Sequence, residues 1–236
     1  MVNISLLQTD DRPNLNYLLL SKKVNIKICN YFNYNYNFIE IDNSKLNLSV
    51  KQYNKLYVVN EFLNSSTDDI LIFLDSDAWV NDGIWLNQII NDLINDDCKN
   101  GCFSRTPYRS SHTFINSGSF IIKNNDFIKK MYKDIISLFE KDMSENNKDS
   151  NLVRKKNGGW CDQFYISNFV FNNKEKFNVF IPEILNTPDG MILRHNWFKH
   201  QKMFDDLNYL INNDVKINEL LFEKEKYLDT KCFPNK

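Results

Sequence analysis

The sequence predicts an α/β fold: a mostly parallel sheet flanked by helices, in a single domain with a helical C-terminal tail. Three observations predict it. Strand-like and helix-like segments alternate over the first eighty residues, the order expected when helices cross over between parallel strands. Ile70 to Leu74 is an unbroken apolar run, the pattern of a strand covered on both faces. With 236 residues, 42% of them hydrophobic, the chain can fill one large core.

The elements follow in order. Asn3 to Gln8 reads as a first strand, and Thr9, Asp10, Asp11, Arg12 and Pro13 as the polar turn after it. A helix is expected from about Leu15 to Tyr34 and a short strand from Asn37 to Ile41. Tyr53, Leu56, Tyr57 and Leu63 lie near helical spacing within 51–63. After the central strand, Ile84 to Ile94 reads as a helix, Gly101 to Ser104 as a strand, and the run from Phe114 to Ile122 as a turn flowing into a strand. Asp126 can cap a helix reaching about Glu140. The polar stretch from Lys141 to Asn157 reads as a mobile surface loop, able to order over a bound ligand. Gly158 and Gly159 precede a helix starting near Trp160, and Phe177 to Ile181 reads as a strand. Residues 1–202 are expected to form the main domain, with 203–236 as a helical extension packed on it.

Composition excludes several classes. There are 29 basic and 30 acidic residues, a formal net charge of -1, and no basic run suited to tracking phosphates, so no nucleic-acid partner is expected. The five cysteines (Cys29, Cys98, Cys102, Cys161, Cys232) form no CxxC pair. A disulfide framework or zinc site is not expected, and a reducing compartment fits better. No apolar stretch approaches the ~20 residues that span a bilayer, and the start has no signal-peptide layout. The expectation is a cytoplasmic protein without a membrane span.

The central strand ends in Asp75-Ser76-Asp77. Side chains at i and i+2 of an extended chain point the same way, so the two carboxylates can converge. Like charges at the end of a buried strand repel and lose hydration, unless a cation compensates them. On this reasoning Asp77→Asn should relieve repulsion in the metal-free protein. A hard divalent ion with oxygen ligands suits the pair, and strand C-termini are where open α/β sheets bind ligands.

Four landmarks in order, LDSDAWV at 74–80, FINSG at 114–118, WCDQF at 160–164 and RHNWFK at 194–199, resemble the GT-A (Rossmann-like) nucleotide-sugar glycosyltransferases. The likeness is greatest to the galactosyl- and xylosyltransferase family with a WLDADA-type motif, with glycogenin-like enzymes as cousins. It covers the chain from Ile4 to roughly His200. It implies that Asp75 and Asp77 bind a divalent metal, Mn2+ or Mg2+, that bridges the diphosphate of a nucleotide-sugar donor, most simply a UDP-sugar. His195 would be the third ligand, with His200 as a competitor, and Lys199 would reach the diphosphate.

The resemblance further implies that Asp162 and Gln163 lie beside the transferred sugar, where the carboxylate stabilises positive charge or orients the acceptor. Asn116, Ser117 and Gly118 would line the sugar pocket. Thr9, Asp10 and Arg12 would sit near base and ribose, Ser76 beside the metal pair, and Lys55 at a position that is often basic. Trp160 or Trp197 would meet the acceptor, a glycan, protein or lipid. Enzymes of this kind retain anomeric configuration; an inverting one would need a carboxylate base, a role also open to Asp162. Two rival readings remain at this level. One is an aspartyl-phosphate phosphatase using DxD, and the other is a catalytically inactive GT-A protein that binds nucleotide sugars.

Overall fold

The computed structural model describes residues 2–43, 48–107, 115–196, 200–214 and 221–229. Its centre is a six-stranded sheet of β1 (Ile4–Asp10), β2 (Asn35–Glu40), β3 (Ile70–Asp75), β5 (Gly101–Ser104), β6 (Ser119–Lys123) and β7 (Phe177–Phe180), in the order β2-β1-β3-β6-β5-β7. Pairings β1–β2, β1–β3 and β5–β7 are parallel, while β6 runs antiparallel to both neighbours. A separate ribbon pairs β4 (Ala78–Val80) with β8 (Leu193–His195).

The apolar run in β3 serves both faces, as its pattern predicts. Ile70, Ile72 and Leu74 join one core with Leu6 and Ile121. Leu71 and Phe73 join the other with Leu7, Phe103 and Phe120, and the Phe73 and Phe120 rings stack with centroids 4.9 Å apart. Burying each such side chain contributes roughly 1.5–3 kcal/mol.

Helices cover both faces. The first core receives α1 (Asn16–Phe32) through Ile28 and Cys29, and α3 (Gly83–Asn95) through Leu86, Ile89, Ile90 and Leu93. The spacing of those four residues places them on one side of α3, and the Asp82 carboxylate caps that helix by accepting from Trp85 N at 3.0 Å. The second core receives α2 (Asn54–Ser65), α4 (Asp126–Glu145) and α6 (Asp162–Asn172). Helix α8 (His200–Asn212) packs on α1, where Met203 and Leu207 meet Val24 and Trp79. It runs across the boundary drawn at residue 202.

Several expected boundaries move. Thr9 and Asp10 belong to β1, because pairing with β2 and β3 continues to the strand's end. The cap of α4 is Asn125, which accepts from Ile128 N at 3.0 Å, and Asp126 is the first helical residue. The largest correction concerns 141–157. Helix α4 continues to Glu145, and α5 (Ser150–Lys156) follows four residues later, capped by Asp149.

That stretch is polar because its outer faces are solvated, yet its inner face is anchored. Asp142 is buried and accepts from Tyr165 Oη at 2.6 Å and Lys156 Nζ at 2.7 Å. Val153 is buried as well, and Ser150 Oγ accepts from Val50 N at 2.9 Å. A lid made of the whole stretch is therefore incompatible with the fold. Gly158 and Gly159 follow with φ of 67° and 91°, a conformation that disfavours residues with a Cβ.

The far edge of the sheet is covered by 221–229. Leu228 bridges Phe180, Asp229 N donates to Val179 O at 2.8 Å, and Asp229 pairs with Arg105. No helix among the described residues is long and apolar enough to cross a membrane.

Candidate functional site

The carboxyl ends of β1 and β3 open into a cleft of about 370 Å3. Thr9, Asp10, Arg12, Lys55, Asp75, Ser76 and Asp77 all line it. Asp11, Ile41, Asn43, Lys51 and Gln52, which the motifs did not single out, line it too. Asp10 binds the Arg12 side chain, with Nε to Oδ1 at 3.0 Å. Lys51 and Asn43 both donate to Asp11 Oδ2. Burial raises the Asp11 carboxyl, but these donors outweigh it and bring it to about 2.

Asp75 and Asp77 sit on either side of a turn that takes the chain out of the main sheet and into β4. Buried polar side chains hold the turn. Gln8 Nε2 donates to Asp75 O at 3.2 Å and Ala78 O at 3.1 Å, and Ser21 Oγ donates to Ser76 O at 3.1 Å. Asn25 Oδ1 accepts from Val80 N at 3.0 Å. Sequence reasoning missed these three. Ser21 and Asn25 left a trace, as polar residues at i and i+4 on the otherwise apolar face of α1.

The ribbon brings His195 opposite Ala78. Its Nε2 lies 3.1 Å from Asp77 Oδ1 and 3.8 Å from Asp75 Oδ2. One oxygen of each aspartate and one imidazole nitrogen lie within 4.8 Å of one another. Two carboxylates and an imidazole form a mixed oxygen and nitrogen donor set that a divalent cation can take, so the residues present fit a divalent ion. His200 opens α8, but its side chain lies outside the described residues, as do Trp197 and Lys199.

A second group adjoins the first through Lys55. Its Nζ lies 2.8 Å from Asp75 Oδ1 and 3.3 Å from Asp162 Oδ2. Ser117 Oγ donates to the same Asp162 oxygen at 2.6 Å. Asn116 Oδ1 accepts from Gly118 N at 2.6 Å, and Gly118 O accepts from Asp75 N at 2.7 Å. The expected sugar-pocket residues thus adjoin the metal cluster. Gly118 has a more specific duty: a Cβ there would lie 2.5 Å from His195 Nδ1 and closer still to Cε1. Gln163 is buried, and its Nε2 has no partner among the described residues. Trp160 is half-buried, whereas Trp79 is core and Trp85 packs near Phe222.

The charges compensate in pairs. Burial pushes the Asp75 carboxyl up, against the pull of Lys55 and His195. Burial also opposes ionisation of Asp77, but His195 outweighs it and holds Asp77 low. The His195 imidazole is raised, since Asp77 overcomes its burial. Lys55 is raised in the same way by Asp162 and Asp75. Asp77 adds to the rise of Asp75, so Asp77→Asn would relieve that repulsion while also removing the anionic partner of His195.

No family model and no curated protein sequence matches the chain. Solved structures do. One is a glycosyltransferase involved in the glycosylation of the major capsid of PBCV-1, with 15% identity and a TM-score of 0.62 over 88% of this chain and 98% of that one. The galactosyltransferase LgtC, in complex with donor and acceptor sugar analogs, has 11% identity and a TM-score of 0.55 over 91% and 98%. The glycosyltransferase GlyE of Streptococcus pneumoniae TIGR4 has 12% identity and a TM-score of 0.51 over 90% of this chain, which spans 63% of GlyE. The fold is therefore the α/β fold of GT-A glycosyltransferases.

Proposed function

We propose that this protein is a metal-dependent glycosyltransferase. It transfers a hexose or pentose from a nucleoside-diphosphate donor, a UDP-sugar in the simplest case, to a glycan, protein or lipid acceptor, with retention of configuration. The reading rests on the convergence of Asp75, Asp77 and His195 beside a cleft of about 370 Å3 that Thr9, Asp10 and Arg12 also line. Solved glycosyltransferases of the same fold support it. The nearer kinship to the galactosyl- and xylosyltransferases belongs to the same proposal, as does a cytoplasmic location, which the free Cys29, Cys98, Cys102 and Cys161 thiols suit.

Asp75, Asp77 and His195 would hold the ion. When bound, Mn2+ or Mg2+ would neutralise the diphosphate so that it can leave. The chain's own groups would do the rest. Thr9, Asp10 and Arg12 would orient base and ribose, Ser76 would contact the donor beside the metal pair, and Lys199 would meet the diphosphate. Asn116, Ser117 and Gly118 would border the sugar, and Gln163 would lie beside it next to Asp162. Asp162, anchored by Lys55 and Ser117, is suited to fixed stabilisation of positive charge at the anomeric carbon.

As a phosphatase nucleophile, Asp75 would have one oxygen committed to Lys55 at 2.8 Å, and it ends the third strand, not the first. A nucleotide-sugar panel read by thermal shift and hydrolysis, with Mn2+ and with EDTA, tests the proposal. A UDP-sugar should stabilise the protein and be slowly hydrolysed only when the metal is present. Binding without hydrolysis would favour the inactive reading. Indifference to every nucleotide, or phosphate trapped covalently on Asp75, would overturn both.

A further inference from the structure

We infer that Arg194 and Asp206 are positioning residues: their ion pair lets α8 grip the back of the β4–β8 ribbon, and so holds Asp77 and His195 in place on its other side. The ribbon needs such a grip. Each of its strands has three residues, and a two-stranded pair of that size is marginal without support from outside. Side chains directly opposite each other share a face, and the next rung faces the other way. Trp79 and Arg194 form the middle rung, with Ala78 and His195 beside it. One face therefore carries Trp79 and Arg194, while His195 turns away from them to Asp77 and Asp75.

Both residues of the middle rung meet α8. Trp79 is buried and packs against Met203 and Leu207. Arg194 Nη1 donates to Asp206 Oδ2 at 2.6 Å. A third tie runs to the chain between α7 (Pro182–Leu185) and β8, where Asp189 lies 3.2 Å from Lys202 Nζ. Helix α8 is itself fastened to α1. Lys27 Nζ donates to Leu210 O at 3.0 Å and Ile211 O at 3.4 Å, in the last turn of α8, where a cation is favoured. Helix α1 also supplies Ser21 and Asn25, which hold the turn that leads into β4. The same pair of helices thus fixes the segment carrying Asp77 twice, the turn from α1 and the ribbon from α8.

The grip rests on this geometry, and its purpose rests on the metal reading above. Asp206→Asn removes the charge and keeps the size, and at 22% exposure the side chain can change without unfolding the protein. The amides of Asn81 and Asn196 close the ribbon by donating to Ile192 O and Asp77 O. In metal-free Asp206→Asn their hydrogen exchange should speed up roughly 10-fold, while the β3 amides exchange as before. Mn2+ should bind roughly 10-fold more weakly by EPR titration. Arg194→Met should do the same, and Asp206→Glu should keep both properties near the wild type. Should Arg194→Met fail to fold, the two Asp206 variants decide. Unchanged exchange at Asn81 and Asn196 would overturn the inference. So would faster exchange with unchanged Mn2+ affinity, since the grip would then serve only the ribbon's own stability. A wild type without affinity for Mn2+, with the two amides still loosened in Asp206→Asn, would support the positioning role and remove the metal reading alone.

Discussion

Asp75 and Asp77 are two residues apart, yet different parts of the molecule hold them. Asp75 ends a strand hydrogen-bonded on both sides, to β1 and β6, and its side chain meets Lys55 from the neighbouring helix. Asp77 lies beyond that sheet, and its cationic partner, His195, arrives on a ribbon with only three residues in each strand. The first carboxylate is part of the frame. The second belongs to an attachment that polar side chains of β1 and α1 keep in place. Charge balance is therefore built into the core at one position and assembled by long-range pairing at the other.

Substitutions can break or sharpen this contrast. Under the proposed function, Asp77→Ala should carry the largest functional effect, a loss of about 100-fold or more in Mn2+-dependent donor hydrolysis, because a catalytic ion would contribute several kcal/mol of charge stabilisation. Its unfolding free energy should fall by only about 1–2 kcal/mol, because the His195 imidazole left behind can lose its proton, whereas two carboxylates left without Lys55 stay charged. Lys55→Met should do the reverse in kind. Leaving Asp75 and Asp162 without their shared cation should cost about 3 kcal/mol in urea unfolding, the lower part of the range for buried pairs, because the Asp75 side chain remains 27% exposed. If Asp77→Ala proved the more destabilising of the two, the division between frame and attachment would be wrong.

Smaller effects are expected away from the cleft. Tyr165→Phe removes the hydroxyl that donates to Asp142 and accepts from Asn157. It should lower stability by about 1–2 kcal/mol while leaving Mn2+ affinity unchanged in the same titration. Asp149→Ala removes the cap of α5 and should cost about 1 kcal/mol, seen as earlier melting and faster proteolytic cleavage near 146–149.

The same contrast explains what could be read in the sequence. The strand leading to Asp75 announces itself by five consecutive apolar residues, and β5 by a short run with clear ends. The ribbon does not. Ala78-Trp79-Val80 and Leu193-Arg194-His195 are too short for a periodic signal, and nothing local says that they pair. Asp206 carries no motif at all; only its three-dimensional proximity to Arg194 reveals it. The 141–157 stretch misleads for another reason. Its asparagines, lysines and acids mark solvated helix faces, while Asp142, a residue type that usually faces water, is buried against Tyr165 and Lys156. A helix whose inner face carries an acid gives no apolar stripe at that turn.

The segment at 221–229 has a bearing on how the molecule behaves at high concentration. By running along β7, it occupies backbone amides and carbonyls that would otherwise offer a template to a neighbouring molecule. At the opposite margin, β2 ends in the exposed, charged Glu40. Trimming the chain before residue 221 should therefore yield a protein that clumps through its uncovered flank, even where the catalytic chemistry is intact.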